Sequence, residues 1–83
     1  MKDLDKLNLA NADYYGYDAQ SNQLIEECAE LIQAINKHKR VMSNRQSVNM
    51  TLNEAINNVS EEIADVEIML AQIKYLLGIN EST

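Results

Sequence analysis

Apolar residues in the second half of the chain return every three or four positions, which is the period of one face of an α-helix. The row runs without a miss through Leu52, Ile56, Val59, Ile63, Val66, Leu70, Ile73 and Leu77. Thr51 stands where an N-cap is needed, and Glu54 has the spacing of a capping box. Gly78 suits the position just past a helix end. The pattern therefore predicts a helix from about Leu52 to about Leu77.

Two further helices are predicted upstream. The longer one begins around Asp18, a suitable N-cap, and continues to about Val41 without a helix breaker. A shorter, weakly periodic helix occupies about residues 2–13 and stops near Gly16, whereas the polar, irregular stretch over 42–51 is typical of a loop. The chain has no proline and only two glycines, so few interruptions are expected. The prediction is an all-α fold, a three-helix chain whose last two helices form a long antiparallel helical hairpin.

Composition and charge limit the classes of protein to which the chain can belong. At 83 residues we expect a single helical domain over residues 1–83. The formal charge of −6 argues against nucleic acid as a partner. One cysteine cannot form an internal disulfide, which favours a reducing cytoplasm. No apolar run approaches the roughly 20 residues of a membrane span, and the N-terminus lacks the apolar core of a signal peptide, so no membrane partner is expected.

The third predicted helix is too apolar to be exposed in a lone small chain. Its second half carries further apolar side chains outside the four-three row: Ile68, Met69, Ala71, Tyr75 and Leu76. A helix that is apolar on nearly every side must be buried, and a domain this short has little core of its own. We therefore expect a homodimer or homotetramer, an oligomeric helical bundle in which the larger of these side chains lie between chains.

An acidic pattern occurs twice in the chain, each time beside an apolar helix face. The segment LIEECAELI contains EExxE, and VSEEIADVEI repeats it as EExxD. Residues three apart lie on the same side of a helix, so Glu27 pairs with Glu30. Glu62 pairs with Asp65 in the same way. Both pairs are equally far along the chain from a turn near residue 46, so an antiparallel hairpin brings four carboxylates level with one another.

Four ionised carboxylates in a partly dry site repel one another, and something must hold them there. Shared protons would require several raised pKa values at once, and no basic side chain lies within one helical turn of the acids. All-oxygen ligands suit a hard cation such as Mg²⁺, with Mn²⁺ as a possible substitute. The alternative is that the acids form a solvated helix surface. A di-iron centre needs Glu-x-x-His on two helices, which is absent. The single histidine, His38, suits a solvated cation at a helix end.

The two acidic motifs together resemble the signature of a known enzyme family. EExxE on one helix followed by ExxD on the next is similar to the pattern of the all-α nucleoside triphosphate pyrophosphatases, specifically the MazG-like branch, and the likeness covers most of the chain. The resemblance implies Mg²⁺-dependent hydrolysis between the α and β phosphates, which releases a nucleoside monophosphate and pyrophosphate. It also implies a catalytic unit that is a dimer or a dimer of dimers. The metal ligands that it implies are Glu27, Glu30, Glu62 and Asp65.

This interpretation assigns roles to further residues. Glu27 lies nearest the apolar edge and is the candidate general base. The amides of Gln20 and Gln23 suit the sugar or base of the substrate, or a polar helix entry. The three tyrosines around Gly16 suit stacking on a base, or packing against the bundle. The candidates for holding the β and γ phosphates, with a solvated helix end as the alternative, are Lys37, Lys39, Arg40 and Arg45.

Two other functions stay open at this point. The chain is consistent with a non-catalytic helical interaction module whose apolar row binds a partner helix. It is also consistent with an inactive homologue that keeps the fold without the activity. A metal-held carboxylate cluster should be stabilised by Mg²⁺ or Mn²⁺, whereas an interaction module should be indifferent to either ion.

Overall fold

The computed structural model describes residues 3–43 and 49–79, with side chains from Lys6 onward in the first range. Two α-helices make up this part of the chain, α1 over Asp3–Ser43 and α2 over Leu52–Leu77. The described ranges contain no strand, and the two helices pack against each other. The all-α prediction is confirmed. Within the same ranges, neither helix has a stretch both long and apolar enough to cross a membrane.

α2 begins and ends at the capping residues that the sequence predicts. Thr51 has extended φ/ψ angles of −79° and 162°, and its Oγ1 accepts a hydrogen bond from the Glu54 backbone N at 3.1 Å. The Glu54 carboxylate accepts in turn from the Thr51 backbone N at 3.2 Å, which completes the capping box. Gly78 is left-handed with φ 68°, a conformation that favours glycine. Of the predicted loop before α2, residues 44–48 lie outside the described ranges.

α1 is interrupted at one residue, Gly16, whose φ of 82° and ψ of 172° are not helical. This combination belongs to a region of φ/ψ space that is essentially restricted to glycine. A straight helix of 41 residues would be about 60 Å long, yet the longest dimension of the molecule is 44 Å. The chain therefore folds back at Gly16. We call residues 3–15 the first arm of α1 and residues 17–43 its second arm.

The first arm runs along α2 in the parallel sense. Near its middle, Asn8 accepts a hydrogen bond from Gln72 and donates one to the backbone carbonyl of Ile68 at 3.3 Å. Near its end, Asp13 accepts a hydrogen bond from Tyr75. Residue numbers thus rise together along the two elements.

The second arm runs along α2 in the antiparallel sense. Gln20 donates to the side chain of Gln72 at 2.6 Å. Further along the arm, Glu27 and Glu30 meet Glu62, which lies earlier in α2. Residue numbers rise on the second arm as they fall on α2, so these two segments form the long antiparallel hairpin that the sequence predicts.

The sequence predicted three separate helices, and on this point the prediction is wrong. The predicted stop near Gly16 coincides with the bend of α1, but helix resumes directly after it, since only Gly16 leaves helical φ/ψ angles. Asp18, the predicted N-cap, lies inside α1, where its carbonyl oxygen accepts a hydrogen bond from Ser21 Oγ at 3.2 Å. The physical reason is that one glycine with a positive φ can redirect the chain, so no loop is needed between the arms.

Few side chains are buried within the single chain. Among the described residues, the buried ones are Ala12, Ala34, Ala55, Val66, Met69 and Gln72. No large side chain in the described ranges is fully buried. Met69 is only 6% exposed and packs inside its own chain, so the prediction that places it between chains is wrong. Ile68 and Tyr75, predicted to lie at the same interface, are exposed.

The four-three row of α2 divides into covered and exposed positions. Val66 is buried, and Val59 and Ile73 are half-buried against the rest of the chain. The positions on the other side of the row are 42–53% exposed: Ile56, Ile63, Leu70 and Leu77. These four follow one another at intervals of seven residues, so they form a single stripe along α2. Leu52, at the start of the row, is 42% exposed as well, so one chain covers three of its eight positions.

Candidate metal centre

Three carboxylates meet where the second arm of α1 lies beside α2. Glu27 and Glu30 occupy successive turns of the second arm, on the same side of the helix. Glu62 reaches them from α2, and one carboxylate oxygen from each residue lies within 4.8 Å of the others. Ligand oxygens on opposite sides of a hard cation are about 4–5 Å apart. The three carboxylates can therefore contact one ion.

Asp65, the fourth predicted ligand, lies outside this group of three. It follows Glu62 by one turn on α2, as Glu30 follows Glu27 on the second arm, so the spacing alone does not bring all four acids together. Asp65 is exposed, yet its charge is near enough to raise the pKa of Glu62. The sequence predicts four carboxylates level with one another. In the structure three of them lie close together, and Asp65 lies beside them.

Two oxygens of the cluster are shielded from solvent without a hydrogen-bond partner. Glu27 and Glu62 are half-buried, and Oε2 of each has no partner among the described residues. Glu30 is exposed. A shielded carboxylate oxygen without a donor is unfavourable, because it has lost water and gained nothing in return. Both atoms therefore call for a proton or a positive charge nearby.

Gln23 orients Glu27 within the cluster. Its Nε2 donates a hydrogen bond to Glu27 Oε1 at 2.8 Å, from one turn earlier on the same helix face. The other oxygen of Glu27 is the shielded one. Gln20, predicted together with Gln23 as a contact for the sugar or base, turns toward α2 and donates to Gln72. Of the two amides, Gln23 is the one joined to the acidic cluster.

The pKa of Glu62 is raised above its ordinary value of 4.5. Desolvation is the largest cause, followed by the negative charges of Glu30, Asp65 and Glu27 and by a hydrogen bond with Glu30. Each of these favours the protonated form of Glu62 as long as no positive charge is present. Glu62, the one acid of the cluster that lies on α2, is therefore the group whose pKa the neighbouring acids raise.

A cavity of about 210 Å³ adjoins the acidic cluster. It is lined by Glu30, Gln33, Ala34, Lys37, Asn58 and Glu62. Lys37, a predicted phosphate ligand, therefore lies at the same site as two of the acids. Arg40 follows three residues later on the same side of the helix, and its Nε is shielded without a hydrogen-bond partner in the described ranges.

Two polar residues of this cavity, Gln33 and Asn58, were not predicted from the sequence. Gln33 lies three residues after Glu30, and Asn58 lies four residues before Glu62. Residues three and four apart are neighbours on a helix surface, so helical spacing from the two acidic motifs was the signal that could have found them. Both offer amide groups that can donate and accept hydrogen bonds next to the carboxylates.

The remaining predicted residues lie away from the cluster. His38 is half-buried, not fully solvated, and lines a separate cavity of about 390 Å³ with Ile35, Ile56, Val59, Ser60 and Ile63. Lys39 is exposed, and Arg45 lies outside the described residues. The tyrosines around Gly16 are also exposed in the single chain, Tyr14 by 82%.

No protein-family model matches this chain, and neither does any curated protein or solved structure. The resemblance to the MazG-like pyrophosphatases therefore stays a prediction that depends on the two acidic motifs. What the site can do has to be argued from its geometry and its charges.

Proposed function

We propose that the protein is a nucleoside triphosphate pyrophosphohydrolase, which uses Mg²⁺ to convert an NTP or dNTP into the monophosphate and pyrophosphate. The observation that supports this most is the meeting of Glu27, Glu30 and Glu62, two of which carry shielded, unpartnered oxygens. These acids belong to the two motifs that resemble the MazG-like signature. The presence of Lys37 in the adjoining cavity is consistent with a polyanionic substrate.

A divalent cation suits this cluster better than protons or basic side chains do. A single proton would relieve Glu62 but would leave Oε2 of Glu27 without a partner. Lys37 supplies one positive charge beside three carboxylates. An ion of charge +2 together with Lys37 would bring the site close to neutrality. Carboxylate oxygens are also the ligands that Mg²⁺ and Mn²⁺ prefer.

In this proposal Glu27, Glu30 and Glu62 hold the ion, and Asp65 adds negative charge from beside them. When bound, Mg²⁺ supplies a bridge to phosphate oxygens and lowers the pKa of a coordinated water. An acidic site needs such a bridge, because its carboxylates would otherwise repel a triphosphate.

The reaction forms a bond between a water oxygen and the α phosphorus and breaks the bond from that phosphorus to the oxygen shared with the β phosphate. Pyrophosphate leaves, and the proton of the water goes to a carboxylate that acts as general base. Glu27 is the candidate for this role, since Gln23 holds one of its oxygens at 2.8 Å and the other is unpartnered. An oriented carboxylate that lacks a donor is suited to accept a proton.

Basic residues and amides of the second arm complete the proposed substrate site. Lys37 and Arg40 would bind the β and γ phosphates through charge-assisted hydrogen bonds. Gln20 and Gln23 would contact the sugar or base. Their amide nitrogens already donate to Gln72 and Glu27, so their carbonyl oxygens would accept from a hydroxyl or N–H group of the substrate.

Assembly into a homodimer or homotetramer is part of the proposal. A compact chain of 9.4 kDa would expose about 5,000 Å², whereas this chain exposes 6293 Å². The excess of about 1,300 Å² is larger than one partner's share of a standard interface, about 800 Å², and falls in the range of an obligate dimer, about 1,000–2,500 Å² per partner. Apolar side chains that are 42–66% exposed are available on both helices: Ile25, Ile32, Ile35, Ile56, Ile63, Leu70 and Leu77. A cytoplasmic location, predicted from the single cysteine, belongs to the same proposal.

A non-catalytic interaction module is the second candidate function. The observation that favours it is the same exposed apolar face, which would also suit an amphipathic helix of another protein. An inactive homologue would keep the carboxylate cluster without turning over a substrate.

Incubation with a panel of nucleoside triphosphates and diphosphates in the presence of Mg²⁺ tests the activity. Triphosphates should yield monophosphate and pyrophosphate, whereas diphosphates should be poor substrates because their cleavage leaves no pyrophosphate. Release of diphosphate and orthophosphate would mean attack at the γ phosphorus and would overturn the proposal. Thermal unfolding with and without Mg²⁺ separates the alternatives, because an inactive homologue is stabilised by the ion without hydrolysis and an interaction module is not stabilised.

A further inference from the structure

The first arm of α1 is held against α2 by polar side chains. Gln72 donates to Asn8, and Asn8 donates to the carbonyl oxygen of Ile68 at 3.3 Å. Tyr75 donates to the carboxylate of Asp13 at 2.8–2.9 Å. Hydrogen bonds of this kind depend on geometry, so any α2 presented in the same orientation could make them equally well.

The apolar packing of the first arm is slight. Ala12 is the one buried residue among the side chains that are described for the arm. Among its larger apolar side chains that are described, Leu9 is half-buried, whereas Leu7 is 59%, Tyr14 82% and Tyr15 59% exposed. Little apolar surface would therefore return to water if the arm left α2.

Gly16 is placed to act as a hinge for this arm. It is the one residue of α1 with non-helical φ/ψ angles, and helix continues on both sides of it. Hinges are typically one or a few residues that absorb a large change in φ and ψ. A change of both angles at Gly16 alone, from φ 82° and ψ 172° to helical values, would make α1 continuous. The first arm would then be carried away from α2.

We propose that the first arm exchanges between its own α2 and the α2 of a second copy of this chain, with Gly16 as the hinge, to form a domain-swapped dimer. In the exchanged form Asn8 meets Gln72 of the partner subunit, and Asp13 meets Tyr75 of the partner subunit. Every polar contact described for the arm is kept. The occupant of the vacated surface is therefore an identical arm, for which α2 is already complementary.

This exchange is independent of the proposed function. Glu27 and Glu30 lie on the second arm and Glu62 lies on α2, so the acidic cluster stays within one chain in both forms. The apolar stripe through Ile63 and Leu70 is also unaffected. Ion binding and hydrolysis thus give no information on the exchange, and the exchange gives none on them.

The substitution Gly16→Ala tests the hinge. A Cβ added at Gly16 meets no atom within 4 Å, so the bent form would be disfavoured by its backbone angles alone. Alanine favours the helical conformation, which straightens α1. Gly78→Ala is the matched control, since Gly78 also has a positive φ, of 68°, and no atom within 4 Å of an added Cβ. It lies at the end of α2 and cannot straighten α1.

Cross-linking distinguishes an exchanged arm from an arm that stays on its own chain. Asn11 and Glu67 are exposed and line one cavity between the first arm and α2. Both would be changed to cysteine in a Cys28→Ser background and joined with a short bismaleimide. In the parent and in Gly78→Ala the link should form mainly within one chain. In Gly16→Ala most of the linked product should run as a dimer on a denaturing gel.

A dimer that only pairs the apolar stripes would keep the link within one chain, so the gel separates it from the exchanged form. Two results for Gly16→Ala would overturn the proposal. One is a between-chain fraction equal to that of the parent. The other is loss of the helical circular-dichroism signal, because a straightened α1 should keep that signal in full.

Discussion

The phenolic hydroxyl of Tyr75 donates to the carboxylate of Asp13, whose two oxygens lie 2.9 Å and 2.8 Å away. Asp13 stands just before the bend of α1 and Tyr75 near the end of α2, so this contact joins the two elements at that end of the molecule. The hydrogen bond to Asp13 is the main reason why the pKa of Tyr75 is raised above its ordinary value of 10.0, and desolvation and the charge of Asp13 act in the same direction.

The contact predicts a loss of stability at alkaline pH. Because the folded pKa of Tyr75 is higher than the unfolded one, its contribution is fully present below pH 10.0 and is lost as the pH rises through the folded value. Tyr75→Phe should be less stable than the parent at neutral pH, and the difference should shrink at alkaline pH. Urea unfolding from about pH 8 to pH 11 measures it. Tyr17→Phe is the control, and an equal pH dependence of Tyr75→Phe and the parent would contradict the prediction.

Replacing Glu62 with glutamine should remove repulsion from the acidic cluster. The raised pKa of Glu62 means that its protonated form stabilises the metal-free fold below pH 4.5, and that this contribution is lost as the pH rises through the folded pKa. Metal-free Glu62→Gln should therefore lack this decline and be at least as stable as the parent at neutral pH. With Mg²⁺ it should lose the ion-dependent rise in Tm and most of the hydrolysis.

Glu61→Gln is the matched control for this experiment. Glu61 is the neighbouring residue, is exposed and lies outside the cluster. It should keep both the ion-dependent rise in Tm and the activity. A structural salt bridge at Glu62 predicts the reverse order, with Glu62→Gln less stable without metal and unaffected by adding it. Hydrolysis by Glu62→Gln at the parent's rate would rule out the metal-site interpretation.

Gln72→Leu should destabilise the fold although it makes a buried position more apolar. Gln72 is 3% exposed, accepts from Gln20 and donates to Asn8. The substitution leaves both partners without that contact, which should lower the free energy of unfolding by about 1–3 kcal/mol. Urea denaturation measures the change. Gln33→Leu, at an exposed position, should stay within about 0.5 kcal/mol of the parent, and equal stability of the two variants would contradict the prediction.

Leu70→Lys should separate the proposed oligomer into monomers without unfolding the chain. Leu70 is 42% exposed in the single chain and belongs to the apolar stripe of α2. A lysine there remains solvated in the monomer but would lose its water in an apolar interface. Sedimentation at micromolar concentration measures the mass. Leu7→Lys changes a residue of the first arm that is 59% exposed outside the stripe and should keep the parent's mass.

Lys37→Met should weaken substrate binding while leaving ion binding intact. Lys37 shares a cavity with Glu30 and Glu62 and is proposed to hold a phosphate of the substrate. Loss of one charge-assisted contact should raise KM about tenfold, or about 1.4 kcal/mol. The ion-dependent rise in Tm should be unchanged. Lys39→Met is the control on the same helix, and equal KM values for the two variants would remove Lys37 from the substrate site.

The local features of α2 were predictable because they depend on near neighbours in the sequence. A capping box needs only Thr51 and Glu54, and the left-handed end of the helix needs only Gly78. The i, i+3 pairing of Glu27 with Glu30 also follows from helical geometry alone. The equal distance of the acidic motifs from the turn then predicted the meeting with Glu62.

Other features depend on directions in space that no local pattern specifies. A glycine that ends a helix and a glycine that bends one both have a positive φ, so Gly16 could not be assigned to either from the sequence. Equal distance from the turn brings the two acidic motifs to the same height, but it does not determine how α2 is rotated about its own axis. Asp65 therefore lies beside the cluster. Gln72 was not predicted as a buried residue, because its burial depends on partners 52 and 64 residues away.

The two hydrogen bonds of Gln72 also imply an order of events while the protein is being made. Its partner Asn8 is synthesised before it, and Gln72 follows 64 residues later. In the interval between the two, the first arm therefore has no α2 of its own to bind. A finished neighbouring copy already presents Gln72 and Tyr75 during that interval. If the proposed exchange occurs, an arm made beside finished copies would therefore meet the α2 of a neighbour before its own.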